Sequence, residues 1–555
     1  MVAIISASIY VSMLPPYGPS YDGWDSYYYS LYAHNVNSFG YQSLPLTAFT
    51  TKYIMILWIT LFYRVFGANL FADGFFGMPI LAATAILVYL IGKERSGKVA
   101  GLLSALFVCF MPIILILSSS GGDDIFVAMF TTLSMATFVY GIERDSRLLY
   151  ALAGFLGVVG ATGSSVEEFM IFVVMLPIIV FYMFKRRNLK QFFLVLFFAA
   201  GIILGVLAIM AMGSALMDNP LAYFDARFAG STYLASISNN SPSAGFFMAY
   251  LFHYPFNNLY NIGAPYSFPK SILINPALQY DGVPSGYNYF GYFGIAALIS
   301  SAYLLLKRRY RSFVILFWFY ALLLYLFFGT VSYRSYTFIF PLKRFLIILA
   351  PPMALTVGIA AAEAYGALSV KAREHRLNKK RALLHKYVLS TLLSVAIAFI
   401  LINSLIDVPY MKSNNYIISE YFRDLGALIL QIPAHSNIYL MTGLYNRNAT
   451  NVSKERSGSV LDFNSLYLAE MGIYSSYARD INDTLLKPPE CNNISNSSYF
   501  IIINSSMISL DKEELINITK FIEECGLAEV FYEQYPNNTE IEGVKSVGLY
   551  KYTKR

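Results

Sequence analysis

The sequence predicts an α-helical protein that crosses a membrane many times and carries a smaller polar region at its C-terminal end. Of its 555 residues, 57% are hydrophobic and only 13% are charged, whereas soluble domains average about 25% charged residues. Long apolar runs recur along the chain up to about residue 406, and basic residues cluster in the short stretches between them. Such a composition argues against a soluble enzyme and indicates a polytopic membrane protein.

The predicted spans follow from the apolar runs, since a membrane-crossing helix needs about 20 apolar residues. They lie at about 74–92, 97–117, 125–141, 147–163, 166–184, 191–213, 288–306, 312–332, 342–362 and 387–406. With the N-terminal run at 2–14, this gives about 11 transmembrane helices. The run 53–66 is shorter and contains Arg64, so we expect it to lie on the outer membrane surface instead of crossing.

Charge predicts the orientation, because basic residues favour the cytoplasmic side of a membrane. Basic clusters at 93–98, 144–147, 185–190, 307–311 and 371–386 all fall on one side if the 53–66 helix does not cross. The N-terminus is then cytoplasmic, and outer loops occupy 15–73 and 214–287. Most Asn-x-Ser/Thr sequons lie in 411–555, which agrees with an outer C-terminal region. We expect the protein in the cell membrane, or in the endoplasmic reticulum membrane if it is eukaryotic.

The predicted domains are a transmembrane domain at 1–407 and an extracytoplasmic domain at 408–555. In the second domain, strand-like runs at 437–441, 499–504, 529–532 and 546–552, with a helix-like run at 510–525, are typical of a small α/β domain. Cys491 and Cys525 share this region and can pair if it is extracytoplasmic.

Few charged residues fall at the outer membrane surface. They are Asp22, Asp25, Asp123, Asp124, Glu167, Glu168, Lys343 and Arg344. Charges at this level are costly unless they are paired or functional. A carboxylate here suits a general base that deprotonates a hydroxyl, and a basic pair suits a lipid phosphate. Tyr28 and Tyr29 belong to an interfacial aromatic belt or bind a sugar ring or phosphate.

Structural roles are the alternative for each of these residues. Asp25 and one of the acids at 123–124 also suit helix N-caps, as do the two glutamates. Lys343 and Arg344 also suit interface anchors whose side chains reach the lipid headgroups. The coincidence of distant acids and a basic pair at one membrane level favours a functional site over separate structural roles.

Several short motifs together resemble a known family. In the first loop, Trp24-Asp25-Ser26-Tyr27-Tyr28 opens a stretch similar to an acidic family motif with a following tyrosine and alanine. Further features add to the likeness: Pro45, the aromatic-to-glycine stretch 62–67, the basic turn at 92–103, the loop 118–124, and Lys343-Arg344-Phe345 followed by Pro351. Over about 15–210 and 285–360 the chain resembles GT-C-fold glycosyltransferases of the protein O-mannosyltransferase and aminoarabinose transferase type.

This resemblance implies a donor sugar linked to polyprenyl or dolichyl phosphate and a protein, lipid or glycan acceptor at the outer membrane face. Asp25 matches the family's catalytic first-loop aspartate, and either Asp123 or Asp124 matches the second-loop aspartate. Arg344 matches the basic residue beside the phosphate. Ser26 replaces the family's second acid, and Asp22 is a candidate substitute. Glu167 is a further candidate for substrate binding. The expected reaction inverts the anomeric centre, with Asp25 as general base.

The resemblance leaves the metal open, with a divalent cation such as Mg²⁺ or Mn²⁺ as the candidate. Two other functions compete with the glycosyltransferase. An oligosaccharyltransferase would share the GT-C core, but its signature Trp-Trp-Asp-Tyr-Gly is absent. A lipid-linked-sugar transporter or flippase would place charges within its spans and show repeated halves, and the chain shows neither. No feature of the sequence points to a nucleic-acid partner.

Overall fold

The computed structural model describes residues 29, 32–33, 36–37, 40–44, 46–67, 72, 75–118, 124–163, 170–186, 189–228, 293–307, 312–328, 347–374, 387–388, 391, 394–402, 437–442, 498–505, 522–534 and 544–552. The helices are α1 (Tyr53–Phe66), α2 (Gly77–Ser96), α3 (Lys98–Cys109), α4 (Pro112–Leu117), α5 (Asp124–Arg144), α6 (Arg147–Val159), α7 (Met170–Arg186), α8 (Leu189–Met217), α9 (Phe293–Leu306), α10 (Phe313–Phe328) and α11 (Ala350–Glu374). Short 3₁₀ turns occupy Tyr41–Ser43 and Gly160–Thr162.

The helical part of the protein contains elements suited to a membrane. Among the described residues, four helical stretches are long and apolar enough to cross one: Gly77–Ser96, Asp124–Arg144, Phe193–Met217 and Ile347–Gly366. Shorter apolar stretches include the whole of α1 and parts of α9 and α10. The protein is therefore a membrane protein with a helical core. The predicted total of about 11 spans includes the 2–14 run, which lies outside the described residues, so that total stays a prediction.

One predicted span is interrupted. The run 97–117 forms two helices, because α3 ends at Cys109 and α4 begins at Pro112. Met111, which precedes the proline, is extended with φ −74° and ψ 125°. Proline disfavours helical geometry in the residue before it and cannot donate to the preceding turn. The prediction of one continuous helix was wrong at this point.

The predicted bounds 342–362 also differ from the structure. Helix α11 begins at Ala350 and runs to Glu374. Pro351 and Pro352 fall in its first turn, where a missing N–H does no harm, and a 3₁₀ turn at 347–349 leads directly into the helix. At the other end, alanine-rich sequence extends the helix into the basic stretch that begins at Lys371.

Small residues allow several helices to approach backbone to backbone. A Cβ added at Gly201 in α8 would lie 1.8 Å from the carbonyl oxygen of Ala151 in α6. A Cβ at Gly154 in α6 would lie 2.3 Å from the carbonyl oxygen of Phe198 in α8. Interfaces built from small residues are common between membrane helices, where close van der Waals contact drives association.

Helices α2 and α5 run in the same direction, which defines two ends of the bundle. Arg95 at the end of α2 donates from Nη1 to Glu143 Oε1 at the end of α5, at 2.7 Å. At their starts, the rings of Phe76 and Phe126 lie 6.2 Å apart. We call the first the basic end, because Arg144 and Arg147 also lie there. We call the second the first-loop end.

In the described part of the C-terminal region, four strands lie at the positions that the sequence pattern predicted. They are β1 (Asn437–Thr442), β2 (Ser498–Ser505), β3 (Leu527–Gln534) and β4 (Val544–Tyr552), and they form one sheet in the order β1-β2-β4-β3. Strand β1 pairs with β2 in parallel, and the other pairs are antiparallel. Cys525, next to β3, is disulfide-bonded. Cys491 and most of the predicted helix 510–525 lie outside the described residues, and the domain as a unit stays a prediction.

Candidate functional site

The end of the first loop packs along α1. Its described residues between 29 and 37 are helical and share one face, at a spacing of three to four residues. Thr60 Oγ1 donates to the carbonyl oxygen of Ala33 at 3.2 Å. One turn further on, Arg64 Nε donates to Asn37 Oδ1 at 3.2 Å. The two helical stretches therefore run side by side in the same direction, which brings Tyr29 to the start of α1.

Lys52, the residue before α1, is a buried cation at this start. Its side chain is only 5% exposed, and its Nζ donates a hydrogen bond to the hydroxyl of Tyr29. The same Nζ lies 4.7 Å from the centroid of the Tyr29 ring and 5.9 Å from that of Phe49. Aromatic faces attract a cation and partly offset the loss of its hydration. An aromatic pocket thus holds an ammonium group at the first-loop end.

A tight turn fixes the backbone that carries Lys52. Thr47 N–H donates to Thr50 Oγ1 at 2.9 Å, and Thr50 N–H donates to Thr47 Oγ1 at 3.2 Å. The hydroxyl of Tyr41 donates to the carbonyl oxygen of Thr50 at 2.5 Å. Burial raises the pKa of Tyr41 well above its usual value, with nearby Tyr53 adding to the effect. Tyr41 is therefore a neutral donor that holds the turn.

A second cation lies on the segment that follows α8. Residues 222–228 are helical, and the guanidinium Cζ of Arg227 lies 5.3 Å from the ring centroid of Tyr223. Arg227 Nε and Nη2 are buried and make no hydrogen bond in the described structure. The hydroxyl of Tyr223 donates to the carbonyl oxygen of Ala161, beyond α6, at 3.5 Å. That bond ties the segment to the first-loop end of the bundle.

Asp124 is the buried acid of this end. It is the first residue of α5 and is 3% exposed. The N-terminus of a helix interacts favourably with a carboxylate, because its free N–H groups point outward and the helix dipole is positive there. The start of α2 lies close by, since a Cβ at Gly77 would be 2.2 Å from the carbonyl oxygen of Ser118. A carboxylate is thereby positioned at the first-loop end of the bundle.

The structure places two of the predicted site residues, Asp124 and Tyr29, at the first-loop end. The other predicted site residues lie outside the described residues: Asp22, Asp25, Tyr28, Asp123, Glu167, Lys343 and Arg344. Sequence reasoning did not select Lys52 or Arg227. Both are isolated basic residues in loops predicted to be outside, where basic residues are uncommon, and that rarity is the sequence signal by which they could be selected.

Within the described ranges no group of three or more His, Cys, Asp or Glu side chains is placed to hold a metal ion.

The fold at this site is the GT-C fold. ArnT from Cupriavidus metallidurans in the apo state is 10% identical, with a TM-score of 0.56 over 99% of this chain and 96% of that one. The same protein bound to undecaprenyl phosphate gives 11% identity and a TM-score of 0.51, with the same coverage. The apo oligosaccharyltransferase of Archaeoglobus fulgidus gives 14% identity and a TM-score of 0.50 over 100% of this chain and 74% of that one.

The sequence adds a family match to the shared fold. Residues 51–211 match the family model of dolichyl-phosphate-mannose-protein mannosyltransferase. A search of curated proteins finds no match. The family match and the GT-C fold confirm the resemblance to the protein O-mannosyltransferase and ArnT group that the motifs indicated. The matched stretch includes Lys52 and Asp124, so both candidate charges lie in the part that is similar to this family.

Proposed function

We propose that the protein transfers a sugar from a polyprenyl-phosphate-linked donor to a hydroxyl or amine of a protein, lipid or glycan acceptor at the outer membrane face. The observation that carries the proposal is that a buried ammonium, Lys52, and a buried carboxylate, Asp124, both lie at the first-loop end of a GT-C fold. Charges buried at a membrane surface are costly unless they serve binding or catalysis. That ArnT was solved bound to undecaprenyl phosphate supports the lipid-linked donor.

In this proposal the cations hold the leaving group. As the bond between the anomeric carbon and the phosphate oxygen breaks, negative charge grows on the phosphate, and a fixed cation stabilises that charge most in a site of low polarity. Lys52 supplies a point charge from its aromatic pocket. Arg227 supplies two buried N–H donors that make no hydrogen bond in the described structure. Lys343 and Arg344, predicted from sequence for the same task, stay candidates beside them.

The carboxylates act on the acceptor. Asp25 takes the proton of the acceptor group as its oxygen or nitrogen attacks the anomeric carbon from the side opposite the phosphate. The new glycosidic bond forms as the phosphate leaves, so a single displacement inverts the anomeric centre, and the lipid phosphate departs as an anion without needing a proton. Asp124 orients the acceptor, with Asp123 as the alternative.

The test uses purified protein, polyprenyl-phosphate sugars with a labelled sugar, and a panel of acceptors. Asp25→Asn and Asp124→Asn each preserve shape and remove the charge. We expect Asp25→Asn to abolish transfer, and Asp124→Asn to lower kcat by about 100-fold, since positioned acid–base groups contribute roughly 100-fold or more. Both variants should still fold, with a small loss of stability in Asp124→Asn because its carboxylate interacts favourably with the start of α5. Wild-type activity in Asp25→Asn would exclude its role as base.

A matched control is Asp225→Asn. Asp225 is exposed and accepts a hydrogen bond from Asn219 Nδ2 at 3.3 Å, so its neutralisation should leave kcat within about twofold of wild type. The oligosaccharyltransferase alternative is tested in the same assay. Transfer from a lipid-linked oligosaccharide to asparagine, with none from single-sugar donors, would favour that alternative over the proposed function.

A further inference from the structure

Tyr53 carries a buried hydroxyl that the proposed function does not use. It is the first residue of α1 and its side chain is 0% exposed. Its hydroxyl oxygen is buried and makes no hydrogen bond in the described structure. An unpaired buried hydroxyl is costly, by an amount comparable to a lost hydrogen bond, and most such groups in proteins find a partner. The hydroxyl therefore calls for a partner that is not part of the described chain.

The surroundings of Tyr53 point to the chemistry of that partner. Its ring lies edge-on to Tyr41, with centroids 5.8 Å apart. Burial, with a further contribution from Tyr223, raises the pKa of Tyr53 to about 12, so the hydroxyl stays a donor at neutral pH. A Cβ added at Gly213 would lie 3.3 Å from this hydroxyl oxygen, so the hydroxyl lies against the C-terminal part of α8, the helix that precedes the segment with Arg227.

Tyr53 is linked to both cations of the site through its neighbours. Lys52 precedes Tyr53 in the chain, and Tyr223, which influences Tyr53, stacks with Arg227. A proton donor in a region that also holds two cations fits an oxyanion, which accepts hydrogen bonds and is attracted by the positive charges.

We propose that Tyr53 is a further substrate-binding residue, whose hydroxyl donates to a phosphate oxygen of the lipid-linked donor. The inference rests on the proposed function for the identity of that ligand. Gly213, in the C-terminal part of α8, lies against the hydroxyl, and its missing side chain leaves the hydroxyl room. Tyr53 binds the leaving phosphate and is not assigned any proton transfer.

The experiment compares wild type, Tyr53→Phe and Tyr140→Phe. Tyr140 provides the control because its hydroxyl donates to the carbonyl oxygen of Leu90 at 3.3 Å, at the basic end. The first readout is the rise in thermal unfolding temperature caused by undecaprenyl phosphate, which needs no turnover. The second is KM for the sugar-bearing donor. Loss of a hydrogen bond to a charged group corresponds to about a tenfold loss of affinity.

We expect Tyr53→Phe to weaken undecaprenyl phosphate binding about tenfold and to raise donor KM by a similar factor. Its unfolding temperature without ligand should equal or exceed that of wild type, because an unpaired polar atom is removed. Tyr140→Phe should unfold at a lower temperature and bind the lipid phosphate normally. Wild-type binding by Tyr53→Phe, or a loss confined to the sugar-bearing donor, would overturn the inference. A wild-type protein that binds the lipid phosphate but transfers no sugar would instead contradict the proposed function.

Discussion

Replacing Lys52 by methionine would remove the ammonium and keep most of the apolar stem in its aromatic pocket. The buried Nζ lies 4.7 Å from the Tyr29 ring centroid and hydrogen-bonds to its hydroxyl, so its position is fixed before any ligand binds. A cation held about 4 Å from a phosphate contributes about 4 kcal/mol at an effective dielectric constant of about 20. Because each 1.36 kcal/mol is a factor of ten in rate, this predicts a loss of about a thousandfold in kcat/KM.

Folding should respond far less than activity does. Removing a buried charge also removes its desolvation cost, so apolar replacements of buried charges are often neutral. The assay is transfer from a labelled polyprenyl-phosphate sugar, with thermal unfolding measured on the same preparation. Lys98→Met is the control, because Lys98 is exposed at the basic end and should leave kcat/KM unchanged. A Lys52→Met protein within threefold of wild-type kcat/KM would refute the reasoning.

Three further predictions concern stability, all read by thermal unfolding in detergent. Gly201→Ala places a Cβ 1.8 Å from a backbone oxygen and should destabilise the folded protein by about 1–3 kcal/mol. A Cβ added at Gly366 would meet no atom within 4 Å, so Gly366→Ala should stabilise the protein slightly. Equal effects of the two substitutions would contradict the close contact between helices. Glu143→Gln should destabilise the folded protein by roughly 2 kcal/mol, because Arg95, whose side chain is 2% exposed, loses its carboxylate partner. A double variant that also carries Arg95→Met should recover most of that loss. Burial raises the pKa of Tyr53 from its ordinary value of 10 to about 12 in the folded protein. The stability linked to this pKa shift is therefore complete below pH 10 and is lost as the pH rises to 12. In Tyr53→Phe the free energy of unfolding should fall less steeply over this pH range.

Hydrophobicity and charge were sufficient to predict the helical membrane core and the positions of all four strands. They could not give the bounds set by local geometry. The break before Pro112 depends on one backbone restriction inside an otherwise uniform apolar run, and Pro351 and Pro352 mark the change from the 3₁₀ turn at 347–349 to α11. Apolar content averages over such features, so proline positions are the better guide to helix ends in this chain.

The site was predictable in part for a different reason. Acidic residues beside apolar runs are rare enough to stand out, which is how Asp124 was selected. Lys52 was passed over because it is a lone basic residue followed by an apolar helix, and its pocket depends on Tyr29, which is distant in sequence. Arg227 was missed in the same way. Their importance depends on burial and on contacts across the fold, and periodicity along one segment does not report those.

The most direct test of the proposed activity is a single-turnover assay on the purified protein in lipid vesicles, with labelled sugar on undecaprenyl or dolichyl phosphate and a mixed panel of protein, lipid and glycan acceptors. We predict that label appears on one acceptor class while free lipid phosphate is released in equal amount, with the anomeric configuration inverted. Under the same conditions Asp25→Asn should give neither product. Absence of transfer by the wild-type protein from every donor, or full transfer by Asp25→Asn, would contradict this mechanism.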